Sequence, residues 1–240
     1  MFNLIVEIGN TAVKASRSDG MTLGKTFRYQ GEKVLDFILS LLEKETPEVL
    51  VVSSVYGIPS HDEKILSRKC KHLLILDKAH TQTLTNKGLP EYITYDRAAA
   101  LLAARYLFPD RGCTVVDFGT TLSIDLISRD GVYEGGNISL GCRTRFKALN
   151  RYSRALPLLD TPEKSEVLGH SSQGSLMSGV ISGIMFEIEG YISLHPDNII
   201  VFTGGDAIYF AKRMKNSIFV VCNLVLMGLA LIADDYVKSL

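Results

Sequence analysis

The 240-residue chain carries 26 Lys and Arg against 26 Asp and Glu, so its formal charge is zero. It therefore lacks the basic excess that bulk nucleic-acid binding requires. Hydrophobic residues make up 46% and charged residues 22%, the balance of an ordinary globular chain and not of a disordered one. At roughly 100–200 residues per domain, the length allows one large domain or two small ones. No stretch approaches the roughly 18 apolar residues of a membrane span. Cys70, Cys113, Cys142 and Cys222 are scattered, with no CxxC pair and no His at metal spacing. They read as reduced, mostly buried thiols of a cytoplasmic protein.

In chain order, Phe2–Glu7 is an apolar run that predicts a buried strand, and it has no basic segment of a signal peptide. Gly9-Asn10 is a turn signal, Thr11–Ser16 a second strand, and Ser18-Asp19-Gly20 another turn, as in an antiparallel meander. The apolar spacing of Lys33–Lys44 predicts a helix. Leu50–Val55 and Leu73–Leu76 read as strands on either side of a helix at His61–Lys69, and Thr81–Tyr95 as an irregular loop. Asp96–Leu107, rich in Ala and Leu and stopped by Pro109, predicts a strong helix. The pattern then restarts: strand Cys113–Asp117, turn Gly119-Thr120-Thr121, strand Leu122–Ser128, turn Arg129-Asp130-Gly131. Helices are expected at Arg143–Tyr152, Gln173–Leu194, Ala207–Met214 and Leu224–Tyr236, with strands at Asn198–Phe202 and Ile218–Val221.

The restart is an internal repeat. Val6-Glu7-Ile8-Gly9-Asn10-Thr11 aligns with Val116-Asp117-Phe118-Gly119-Thr120-Thr121. Recurrence of acid, Gly and Thr points to two copies of one unit, although two hairpins with shared turn chemistry would look alike. Gly lets backbone approach a bulky anion, and turn N–H groups and Thr hydroxyls can bond phosphate oxygens. A carboxylate repels phosphate, so it belongs there only beside a cation such as Mg²⁺. Lys14 can offer a positive charge. Thr203-Gly204-Gly205-Asp206, between a strand and a helix, fits either a tight turn or a bare surface for a nucleoside. Asp96-Arg97 opens a helix, where Asp is a common cap; alternatively Asp96 takes a proton from a substrate hydroxyl and Arg97 holds an anion. Arg143, Arg145 and Lys147 read as a solvated helix face. The five His residues form no constellation.

The ordered set VEIGNTAVK, YDRAAALLAA, VDFGTTLSID, YEGGNISLG, RFKALNRYSRALP and VFTGGDA resembles the type III pantothenate kinases over nearly the whole chain. The resemblance implies an α/β protein of two ribonuclease-H-like domains, each a mixed sheet flanked by helices, in a duplicated actin-like fold. The domains are expected at 1–112 and 113–240. It implies ATP-dependent phosphorylation of pantothenate, the first step of coenzyme A synthesis. It further implies a cytoplasmic homodimer that uses Mg²⁺ and a monovalent cation, K⁺ or NH₄⁺, and no nucleic-acid or membrane partner.

By position, Glu7, Ile8, Gly9, Asn10, Thr11, Ala12, Val13 and Lys14 would form the first phosphate loop. Asp117 would hold the monovalent cation, Thr120 would touch ATP, and Gly204 and Gly205 would flank the adenosine. Ile93, Thr94, Tyr95, Asp96 and Arg97 would contact pantothenate, with Asp96 as general base, and Ser172 would add a further contact. Several positions depart from the family: Glu7 stands for Asp, Thr94 for Gly, Lys87 near a Tyr, Leu140 for Pro and Ser172 for Thr. The Thr94 Cβ is expected to crowd a ligand and to disfavour positive φ. These departures leave open a divergent member that acts on another hydroxyl acceptor or serves as a regulatory protein.

Overall fold

Asn3–Ile8 (β1) is the central strand of a five-stranded sheet and is buried from Asn3 to Val6. The computed structural model describes residues 2–239. The chain divides by contacts into two units, Met1–Leu107 with Asn223–Leu240, and Phe108–Cys222.

In the first unit, β1 pairs antiparallel with Val13–Asp19 (β2), which pairs antiparallel with Thr22–Tyr29 (β3). On its other side β1 runs parallel to Val49–Ser54 (β4), and β4 runs parallel to His72–Leu76 (β5). A strand bonded on both edges and covered on both faces needs apolar residues in succession, hence LIV in β1 and VLVV in β4. Leu4, Val6, Leu50 and Val52 face a core shared with Ile38 of Val34–Leu41 (α1) and Leu66 of Ser60–Ser67 (α2). Each such buried aliphatic side chain contributes about 1.5–3 kcal/mol. Strand alternation turns Ile5 and Glu7 to the opposite face. That face is covered by Tyr95–Leu107 (α4) and Leu224–Lys238 (α8), which pack against each other; α8 also packs against β1 and β4, and α4 against β4. Their contact is close because Ala98, Ala99, Ala103 and Ala104 are small, and a side chain at Gly228 of α8 would overlap the Ala99 carbonyl.

The second unit repeats this topology. Cys113–Phe118 (β6) pairs antiparallel with Thr121–Ile127 (β7), which pairs with Tyr133–Leu140 (β8). β6 runs parallel to Ile199–Gly204 (β9), and β9 to Ile218–Val220 (β10). The orders β3-β2-β1-β4-β5 and β8-β7-β6-β9-β10 coincide strand for strand. Cys142–Tyr152 (α5), Ser172–Leu194 (α6) and Ala207–Ala211 (α7) cover the second core. Val180, Ile184, Ile188 and Ile192 form the buried stripe of α6, and Phe118, Phe202 and Phe210 fill the centre.

Three elements lie outside the sequence expectation. β3 and β8 close the two meanders, but both are mostly exposed, polar or Gly-rich edge strands with no apolar alternation to betray them. Gln82–Asn86 (α3) is one short turn of helix within the stretch read as loop. The residues from Asn223 onward, expected with 113–240, pack in the first unit because the apolar stripe of α8 is complementary to α4. The four cysteines are free: Cys113 and Cys142 are buried, Cys70 partly so, and Cys222 is exposed.

The α4–α8 contact yields a test. Gly228→Ala forces the helices apart and is expected to cost about 1–3 kcal/mol or more, read as a lower urea midpoint. Gly190→Ala, where an added Cβ meets no atom within 4 Å, is expected to stabilise slightly, by about 0.5–1 kcal/mol.

Candidate active site

The first hairpin is built at the end of β1. Between Ile8 and Val13 the tip Gly9-Asn10-Thr11-Ala12 is closed by the Gly9 N–H donating to the Ala12 carbonyl at 3.1 Å. Asn10 and Thr11 are exposed at this tip. The tip is steadied from outside, since the Tyr56 hydroxyl donates to Asn10 Oδ1 at 2.6 Å and the Val55 N–H to the Ile8 carbonyl at 3.2 Å. Tyr56 was not legible as a site residue, because it lies 46 residues away on the β4–α2 connection.

Register places Glu7 opposite Lys14, and the Lys14 ammonium lies 3.5 Å from Glu7 Oε2. Apart from that ion pair, Oε2 is buried with no hydrogen-bond partner. Burial raises the Glu7 carboxyl above the ordinary range; Lys14 pulls it down, and the charge of Asp96 pushes it up again. Glu7 and Asp96 are therefore neighbours electrostatically.

Asp96 sits in the first turn of α4, and its Oδ1 accepts the Arg97 N–H at 2.9 Å. A carboxylate in the first turn is favoured by the helix dipole. The Arg97 side chain is buried. Ile93, Thr94 and Tyr95 line a cavity of about 190 Å³, together with Ser54 of β4 and Asp77 and Thr81 beyond β5. Thr94 does not take a positive φ: among the described residues the only non-glycine positive φ is that of Asp110, at 58°. Its carbonyl instead accepts the Ala98 N–H at 2.9 Å as part of the helix start. Lys87 pairs with Asp235 of α8.

In the second unit the corresponding hairpin is one residue shorter, with the Gly119 N–H donating to the Thr121 carbonyl at 3.0 Å. It is braced from behind: the Thr120 carbonyl accepts the Gly141 N–H at 3.1 Å and the Thr144 hydroxyl at 2.7 Å. Asp117 stands on β6 beside Thr203 of β9, as Glu7 stands on β1 beside Ser53 of β4. Gly204 has φ +91°, and a side chain there would overlap the Asp117 carboxylate and the Phe118 backbone. The Gly205 N–H then donates to the Phe118 carbonyl at 2.8 Å. Asp117 and the Gly204-Gly205 turn, separate signals in the sequence, thus form one local surface.

The basic cluster is not uniformly a solvated face. The Arg145 guanidinium bonds the Leu140 carbonyl at 2.8 Å, Ser139 Oγ at 3.2 Å and Glu187, whereas Arg143 makes an exposed pair with Asp160 at 3.1 Å. Ser172 heads α6 and lines a largely apolar groove of about 960 Å³ with Leu140, Leu149, Tyr152, Leu156 and Leu176. This groove belongs to the second unit, whereas Ile93–Arg97 belong to the first.

Among the described residues no group of three or more His, Cys, Asp or Glu is arranged to hold a metal by itself. The fit to a divalent cation shared with phosphates rests on Glu7, whose buried Oε2 lacks a hydrogen bond. Such an atom is costly unless a cation completes its surroundings. No helix of the described residues is long and apolar enough to cross a membrane.

Comparison with known proteins agrees with this geometry. A family model described as type III pantothenate kinase matches residues 3–194. A type III pantothenate kinase of Flavobacterium psychrophilum is 32% identical over 231 residues, covering 94% of this chain and 96% of the relative. Among solved structures, a Campylobacter jejuni protein described as a Baf family transcriptional activator is similar with TM-score 0.66 and 22% identity, over 98% of this chain and 99% of that one. A ROK hexokinase of Thermus thermophilus is similar with TM-score 0.56 and 13% identity, over 99% and 100% of the two chains. At these identities the structural likeness is one of fold, and the fold is the duplicated actin-like one.

The raised Glu7 carboxyl makes a signed prediction. Folded Glu7 binds its proton more tightly than unfolded Glu7, so its ionised form opposes folding. That cost grows as pH rises from the ordinary carboxylate range through the raised value, and is absent below both. Glu7→Gln is expected to raise the melting temperature at pH 7, with the gain vanishing in acid, while ATP turnover falls to background. Calorimetry across pH, paired with a turnover assay, checks both halves.

Proposed function

This chain belongs to the type III pantothenate kinases, and we propose how its residues divide the labour of moving the terminal phosphoryl group of ATP to the primary hydroxyl of pantothenate. The observation that carries the reading is the head of α4. There a carboxylate, Asp96, follows directly on the residues that wall a cavity, Ile93–Tyr95.

Pantothenate occupies that cavity, with Arg97 beside its carboxylate. Asp96 accepts the proton of the primary hydroxyl as the oxygen forms its bond to the terminal phosphorus. The bond from that phosphorus to the bridging oxygen breaks, and ADP leaves. Phosphoryl transfer needs positioning and charge stabilisation more than covalent chemistry, and the rest of the assignment follows that need. In the first unit, the backbone of Glu7–Lys14 and the Lys14 ammonium contact phosphates, and Glu7 helps hold Mg²⁺. The cation, when bound, supplies neutralisation of phosphate charge. In the second unit, Asp117 holds the monovalent cation, Thr120 touches the nucleotide, and Gly204 and Gly205 leave bare backbone for the adenosine. Ser172 contacts pantothenate. The apolar groove around Ser172 supports a homodimer, because exposed Leu140, Leu149 and Tyr152 gain by being covered.

Two measurements test this. Turnover of ATP is expected to require pantothenate and to be faster in potassium than in sodium, and Asp96→Asn is expected to lower it by about 10²–10⁴-fold. Unchanged turnover in that variant removes Asp96 from the chemistry. Sedimentation at assay concentration is expected to show a dimer, and a fully active monomer would exclude the shared groove.

A further inference from the structure

A chain of hydrogen bonds leads from the head of α4 to a buried carboxylate that no step above uses. Asp77 is the first residue beyond β5 and is 5% exposed. Its oxygens accept the Ala79 N–H at 2.9 Å and the Ile58 N–H at 3.4 Å, and one of them lies 2.8 Å from His80 Nδ1. Burial alone raises this carboxyl, but the His80 ring and the two backbone N–H groups outweigh it and hold Asp77 below the ordinary range. The carboxylate thus fastens the β4–α2 connection to the turn after β5. The same turn reaches α4. The His80 carbonyl accepts the hydroxyl of Tyr95. Tyr95 is 4% exposed, and it immediately precedes Asp96.

Tyr95 lies at the start of a helix whose other buried residues are mainly Ala and Leu. Packing alone would be served by Phe. A buried phenol hydroxyl is retained at a cost unless it is bonded, and here it bonds the loop opposite. Asp77 and Tyr95 also line the same cavity of about 190 Å³, from two separate segments. Resting on the reading of that cavity as the acceptor site, we propose that Tyr95, anchored through His80 to Asp77, is a positioning residue. It ties the two walls together and sets where Asp96 stands against the acceptor hydroxyl. Peptide geometry transmits any shift of Tyr95 directly to Asp96, and a misplacement of about 1 Å can cost on the order of 10²-fold in rate.

The test is Tyr95→Phe, which keeps the ring and removes the hydroxyl. With the full chain, the pantothenate KM is expected to rise by about 3–10-fold, the scale of one lost hydrogen bond, and kcat to fall. The KM for ATP is expected to stay within about twofold. Asp77→Asn is expected to move the same parameters in the same direction. Kinetics are normalised to the folded fraction found by circular dichroism. Unchanged pantothenate KM and kcat per folded molecule would overturn the proposal, as would equal loss of affinity for both substrates.

Hydrogen exchange of the Arg97 and Ala98 amides in the ligand-free protein supplies a readout independent of activity. Faster exchange in Tyr95→Phe than in the parent supports the anchor, and equal exchange overturns it. Should the parent not phosphorylate pantothenate, the functional reading fails while the exchange measurement still decides the anchor.

Discussion

A carboxylate at the C-terminal end of a sheet's central strand is a group that the fold must work to keep. Glu7 and Asp117 occupy that place in the two sheets, each with an antiparallel hairpin on one side and a parallel strand on the other. The sheet takes much of the water from Glu7, and the glycine turn that follows spends its Gly9 N–H on the Ala12 carbonyl and not on the acid. Removing solvent from a carboxylate without full hydrogen bonding costs free energy, and Glu7, with its raised proton affinity, shows that cost. A folding unit selected only for stability would place an apolar residue there. The acid makes sense where a cation and phosphates complete its surroundings.

The remaining architecture serves to hold that end of each sheet still. In the first unit, α4 is rich in Ala where it meets α8, which lays Gly228 against Ala99, and the charge of Asp96 reaches Glu7. In the second unit, Gly204 takes a left-handed backbone because any side chain there would collide with Asp117, and the N-terminal turn of α5 braces the Thr120 carbonyl. The two hairpins are related but not identical. The first is a residue longer and is held by a tyrosine side chain; the second is shorter and is held by backbone and a threonine. One topology thus carries two different surfaces at equivalent places.

Four side chains singled out in the sequence acquire physical meanings. Thr94 keeps an ordinary backbone and starts a helix. Lys87 pairs with Asp235 on α8. Glu7 carries one methylene more than Asp, and its carboxylate is met by Lys14 across the hairpin at 3.5 Å. Tyr95 brings a hydroxyl into the start of α4 that reaches the loop of Asp77. The last two could not be anticipated from the sequence, because their partners are set by strand pairing and by a turn 15 residues away.

What the amino-acid order determined by itself was local and repetitive: the apolar runs of β1, β4, β6 and β9, the Ala-rich α4, and the acid–Gly–Thr turn that occurs twice. These follow from solvent exclusion, helix propensity and turn chemistry, each of which acts over a few residues. The family, too, was legible in the order of its motifs. Tertiary structure alone decided which polar groups share a surface. It joined Asp117 to Gly204, tied Asp77 to Tyr95, brought the last helix back to the first sheet, and paired the exposed edge strands β3 with β2 and β8 with β7 by backbone bonds. Side chains on those edges carry no apolar signature, and hydrogen bonds between distant segments depend on the register of the sheets. Such contacts exist only once the whole chain has folded, so no reading of neighbouring residues contains them.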